Sequence, residues 1–148
     1  MKIKIYLFLI LTLFFTSNVK AETLVVEIIS EFKEGPILMA VYNEKKFFGK
    51  TKSNEKTNPD HVLVGAKGLI KDYKAKLEFN IPFGNYALAG IHDLDNNGML
   101  SGNFLGIPKE PFGFSNNARG NFGPPKWEDC LITFDHENQI ISINLKGL

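Results

Sequence analysis

Lys74-Ala-Lys-Leu-Glu-Phe-Asn-Ile81 alternates without a break. Ala75, Leu77 and Phe79 share one side, and Lys74, Lys76, Glu78 and Asn80 share the other. A period of two is that of a β-strand with one buried face, and no helix produces it. The same period recurs outward in both directions. Towards the C-terminus, Pro82-Phe83-Gly84-Asn85 reads as a turn. Tyr86 to His92 is then a strand with Tyr86, Leu88 and Gly90 on one face. Cys130 to Phe134 and Ile140 to Leu145 flank the turn Asp135-His136-Glu137-Asn138, and Ile141, Ile143 and Leu145 alternate with Ser142, Asn144 and Lys146. Towards the N-terminus, His61 to Ile70, Ile37 to Tyr42 and Glu22 to Ser30 are rich in the β-branched and apolar residues that favour strands. Glu34-Gly35-Pro36 separates the last two, which predicts an antiparallel hairpin between them. Residues 43–60 are polar and Lys-rich and read as a solvated connection with one short helical turn, its Phe47-Phe48 pair capping the core edge. No amphipathic helix, repeat or low-complexity tract interrupts the series. Seven short strands with regularly spaced turns predict an all-β, seven-stranded sandwich.

The first 21 residues read differently. Lys2 and Lys4 precede an apolar run from Ile5 to Phe15 that only Thr12 interrupts, and Val19-Lys20-Ala21 suits a cleavage site before Glu22. A run of that length falls short of the roughly 20 residues needed to cross a bilayer. It is expected to be a signal peptide, with a single β-sandwich domain over residues 22–148 and no membrane span after its removal. The expected location is the periplasm, the cell surface or the extracellular space. Without Lys2, Lys4 and Lys20, 14 basic residues face 16 acidic ones, a formal charge of −2. That balance argues against a nucleic-acid partner. Cys130 is the only cysteine, which excludes an internal disulfide and a Cys-based zinc site, and its apolar surroundings predict a small buried hydrophobe.

Between the strands that end at His92 and begin at Cys130 lies a connection far longer than usual. Connections of this length are functional or disordered, and five aromatics within it (Phe104, Phe112, Phe114, Phe122 and Trp127) favour order. It opens on Asp93-Leu94-Asp95-Asn96-Asn97-Gly98-Met99. Side-chain oxygens at alternate positions, then a glycine, then a carbonyl suit calcium (Ca2+), which takes several hard oxygen ligands. The candidate ligands are Asp93, Asp95, Asn97 and the Met99 carbonyl. Ser101 and Phe104 fall where a full calcium loop continues, so any such site needs further ligands. The competing reading is a self-bonded turn, because Asp and Asn side chains bond their own backbone. His92 beside Asp93 and Asp95 raises a hydrolase alternative, in which two carboxyl groups divide acid and base roles. Further on, Phe112, Phe114, Asn116, Asn117, Arg119 and Trp127 alternate aromatic faces with amides and a guanidinium. Such a surface suits a carbohydrate, peptide or protein ligand, with Arg119 matched to a carboxylate or phosphate. The opposing reading folds these aromatics inward as a small core under the loop.

From Asn103 to Gly120 the chain reads Asn-Phe-Leu-Gly-Ile-Pro-Lys-Glu-Pro-Phe-Gly-Phe-Ser-Asn-Asn-Ala-Arg-Gly, followed by Phe122-Gly-Pro-Pro and Trp127-Glu-Asp. With Tyr86-Ala-Leu-Ala-Gly-Ile-His-Asp93, these runs resemble the signature of a secreted bacterial family catalogued as domain of unknown function 2141. The resemblance covers most of the chain after the leader. It implies exported proteins with no established reaction and an immunoglobulin- or transthyretin-like sandwich. Many members carry a further Asp after the glycine of the acidic turn. Met99-Leu100-Ser101-Gly102 stands there in this chain, which weakens the calcium expectation. Together these features predict a non-enzymatic binding or structural module of the cell envelope, acting through residues 93–127 on an envelope or extracellular ligand.

Overall fold

A computed structural model describes residues 20–148. Most of the expected leader therefore lies outside the described residues. Eight strands form: β1 (Glu22–Ser30), β2 (Gly35–Tyr42), β3 (Val64–Ile70), β4 (Lys74–Ile81), β5 (Gly84–His92), β6 (Phe112–Phe114), β7 (Ile132–Phe134) and β8 (Gln139–Leu145). They make two sheets. One has the order β4-β1-β8, and the other has β3-β2-β5-β6 with β7 also paired to β5. Among the described residues the longest α-helix is the single turn α1 (Trp127–Cys130), and no helix is long and apolar enough to cross a membrane.

The alternating residues meet between the sheets. Leu24, Val26 and Ile28 of β1, Phe79 of β4, and Ile143 and Leu145 of β8 come from one side. Ile37, Met39 and Val41 of β2 and Tyr86 and Leu88 of β5 come from the other. A smaller cluster of Tyr42, Phe48, Ala87 and Cys130 sits on the outer face of the second sheet. Tyr42 pairs with Ala87 there, one residue out of phase with the inward Val41 and Leu88. Phe48 packs in that outer cluster, not at the edge of the main core, and Phe47 is half-buried and stacked on His61.

The structure corrects four expectations. First, β1 and β2 do not pair. β1 is flanked by β4, antiparallel, and β8, parallel, while β2 lies between β3 and β5. Both strands carry an apolar face that must meet the same core, so they face each other across it and the short link between them changes sheets. Tyr73 ties that crossing: its carbonyl accepts from Ser30 N–H and its N–H donates to the Lys33 carbonyl. Second, an eighth strand, β6, lies within the long connection. Third, His61 belongs to a 3-10 turn (Pro59–His61) ahead of β3. Fourth, Cys130 closes α1 rather than opening β7, though it is fully buried as predicted.

One edge of β5 is shared. β7 takes Gly84 to Tyr86 and β6 takes Ala89 to Ile91, which leaves Leu88 in the gap between them. β6 also reaches the other sheet. Phe112 and Lys146 exchange two backbone hydrogen bonds of 3.1 Å, so β6 spans the gap between the sheets at β8. Gly113 makes this approach sterically feasible, because a Cβ there would lie 2.3 Å from the Asn144 carbonyl oxygen.

Candidate functional site

The connection from Asp93 to Cys130 is ordered by its own polar groups. At its root, Asp93 accepts from Asn97 N–H (3.0 Å) and Gly98 N–H (2.9 Å). Asp95 accepts from Asn97 N–H, the Asn97 amide and the Ser101 hydroxyl. Glu110, 15 residues beyond Asp95, folds back and accepts from Asp95 N–H (3.2 Å) and Ser101 N–H (2.8 Å). Carboxyl oxygens of Asp93, Asp95 and Glu110 lie within 4.8 Å of one another. Asp93 and Glu110 are buried, and Asp95 is open to solvent. No Lys or Arg among the described residues forms an ion pair with any of the three.

This knot redistributes the expected ligands. Asp93 and Asp95 converge. Asn97 turns its NH2 towards Asp95 and Ser101 while its carbonyl oxygen accepts from Met99 N–H, so the amide serves the turn. Glu110 joins the cluster, and local spacing does not reveal it. The donor set of three hard oxygen groups fits calcium better than a transition metal. The self-bonded turn and the converging carboxyl groups are the same structure.

His92 points into the protein and is fully buried. Its Nε2 lies 3.1 Å from the Glu34 carbonyl oxygen, which can only accept, so Nε2 carries the proton. Nδ1 therefore accepts the Ser30 hydroxyl hydrogen at 2.7 Å. Burial pushes the imidazole pKa down and favours the neutral ring. Gly35 permits this contact: its φ is +139° and a Cβ there would sit 2.5 Å from Nε2. Both ring nitrogens are engaged inside the wall of the sandwich. The ring thus links β1, the β1–β2 crossing and β5, and it has no proton-transfer face towards Asp95.

The aromatic half divides in two. Phe114 and Trp127 lie 5.8 and 5.5 Å from Phe48, edge to face, and join the outer cluster. Phe112 is half-buried and carries the Arg119 guanidinium 5.0 Å above its ring. Arg119 also donates to the Lys146 carbonyl. The Asn116 amide donates to the Asp129 and Leu131 carbonyls. Asn117 caps the free edge of β8, accepting from Asn144 N–H and donating to the Ser142 carbonyl. Ser115, fully buried, fills the gap on β5: its hydroxyl accepts from Leu88 N–H and donates to the Cys130 carbonyl. A shallow dish of about 180 Å³ remains beside Arg119, lined also by Asn117, Asn144 and Lys146. Burial pushes the Cys130 thiol up to about 12, which keeps it an unreactive packing group.

The apolar side chains the loop leaves in water are others. Phe104 is 94% exposed, Leu105 69%, Ile107 46% and Phe122 fully so. Phe104, Leu105 and Ile107 sit on a small hairpin closed by the Gly102–Pro108 bridge. Asn103 N–H donates to the Ile107 carbonyl, and Gly106 N–H donates to the Asn103 carbonyl. The Asn103 side-chain oxygen accepts from Leu105 and Ile107 N–H. The base is held by Lys109 N–H on the Ser101 carbonyl, and by Asn54, which accepts from Gly102 N–H and donates to the Leu100 carbonyl.

No curated protein and no solved structure matches the chain. Residues 26–142, from the fifth residue of β1 into β8 and spanning the whole loop, match one family. The chain belongs to the bacterial family described as "uncharacterized protein conserved in bacteria" (DUF2141).

Proposed function

We propose that this protein is a non-enzymatic binding module of the bacterial envelope, an exported immunoglobulin- or transthyretin-like sandwich that works through residues 93–127. The observation that carries this reading is the Gly102–Pro108 hairpin. Folding normally takes apolar groups out of water. Here a chain segment with bonded backbone groups holds Phe104, Leu105 and Ile107 outward. Rigid exposed apolar surface of this kind marks a binding site. Calcium fits the same reading as a pin at the root, held by Asp93, Asp95 and Glu110. Two of those groups are buried beside neutral donors only, and buried carboxylates usually find a cation or a metal. The charged, then apolar, N-terminal run supports export. The sealed environment of His92 disfavours the hydrolase alternative, since that ring has no free nitrogen.

The test is retention on washed envelope fragments. The wild-type protein is expected to sediment with them, and Phe104→Ser with Leu105→Ser is expected to stay in solution while melting at the same temperature. Equal retention of both proteins, or none of either, would overturn the reading.

A further inference from the structure

We propose that the Gly102–Pro108 hairpin docks on a lipid bilayer, with Phe104, Leu105 and Ile107 entering the interface and lysines meeting anionic headgroups. This rests on the reading of the loop as a binding surface and names what it binds. Three observations favour lipid. The first is chemical composition: from Phe104 to Pro108 the tip has no polar side chain. The second is backbone satisfaction. Hydrocarbon offers no hydrogen-bond partners, so a segment entering it must satisfy its own polar groups. Four of the five N–H groups from Asn103 to Ile107 have partners inside the hairpin, and Pro108 has none to satisfy. The Phe104 N–H and the Phe104, Leu105 and Gly106 carbonyls have no partner among the described residues, which holds the tip at the interface and not in the hydrocarbon core. The third is charge. Lys109 follows the hairpin directly, and Lys52 stands two residues from Asn54, which is bonded to the hairpin base. Both lysines are exposed. An apolar tip with exposed lysines near its base matches the layering of an anionic membrane surface.

Trp127 is the chain's own tryptophan, and it is half-buried against Phe48 in the outer cluster, not on the hairpin. Phe104→Trp therefore places a reporter at the tip with an internal control. The probe is a vesicle of phosphatidylethanolamine and phosphatidylglycerol with bromine on the acyl chains. The Phe104→Trp protein is expected to show a blue shift and quenching on these vesicles, while the wild-type emission stays unquenched. Adding Leu105→Ser and Ile107→Ser should weaken partitioning roughly tenfold or more, since each loses most of an apolar side chain's transfer energy. Lys52→Glu with Lys109→Glu should weaken it on anionic vesicles and leave binding to phosphatidylcholine vesicles unchanged. Absence of quenching at position 104 would overturn the proposal. If the same variants lose retention on envelope fragments yet no vesicle quenches the tip, the hairpin takes a protein partner: the lipid inference then fails and the binding reading stands.

Discussion

Ser115→Ala is expected to be among the most damaging single-atom deletions in this protein. The residue sits where β6 and β7 leave β5 unpaired, and its hydroxyl stands in for the missing strand. It accepts from Leu88 N–H on one side and donates to the Cys130 carbonyl on the other, with no solvent contact. Alanine removes both partners at once. Each buried backbone group left unmatched costs about 1–3 kcal/mol. The expected loss is therefore about 2–6 kcal/mol, a large share of the roughly 5–15 kcal/mol that holds a domain together. Urea denaturation followed by tryptophan fluorescence measures it. The midpoint should fall with the slope unchanged, because the surface exposed on unfolding is the same. Ser142→Ala, at an exposed position on β8, is the control and should stay within about 0.5 kcal/mol. A loss below about 0.5 kcal/mol for Ser115→Ala would refute the claim that this hydroxyl completes the β5 edge.

Three further outcomes follow from the same geometry. Calcium at a hundredfold excess over its dissociation constant should stabilise the fold by about 2.7 kcal/mol, raising the melting temperature by roughly 10 °C, and Glu110→Gln should abolish the rise; equal melting in calcium and chelator would remove the ion from the root. His92 has a folded pKa below its unfolded value, so its contribution is complete above about pH 6.5 and declines as pH falls towards the folded pKa. A His92→Gln variant lacks the titrating ring, so its stability should fall less between about pH 7 and 5 than the wild type's, and an identical pH dependence would exclude His92 as the group responsible. Gly113→Ala places a Cβ against the Asn144 carbonyl and should destabilise by about 1–3 kcal/mol, with hydrogen exchange at Phe112 and Lys146 amides accelerating first; unchanged protection there would show that β6 does not bridge the sheets.

The strands were legible because alternation reports a buried face directly. β1 and β4 have the predicted bounds, and five others differ at one or both ends. Pairing was not legible. Alternation says which side of a strand is buried, not which strand lies beside it, and a short link such as that between β1 and β2 favours a hairpin whether or not the two strands share a sheet. β6 escaped notice because Phe-Gly-Phe is too short to show a period and its middle residue has no side chain. At the loop root, Asp93 and Asp95 stood out through local spacing. Glu110 did not, because it lies 15 residues beyond Asp95 and only the folded chain closes that distance. The aromatics posed the converse problem. Nothing in a loop sequence distinguishes Phe114, which packs on Phe48, from Phe104, which faces water.

The parallel pairing of β1 with β8 has a consequence for how the chain must be born. β1 holds the middle place in its sheet, and one of its neighbours lies at the far end of the sequence. A ribosome or an export channel delivers the first strand long before the last. Until residue 139 and beyond emerge, one edge of β1 and part of the hydrophobic interior stay open. Such long-range closure is slow and leaves sticky intermediates. The domain therefore cannot mature segment by segment as it emerges; assembly waits for β8, and a truncation before it would yield an aggregation-prone product, not a smaller stable protein.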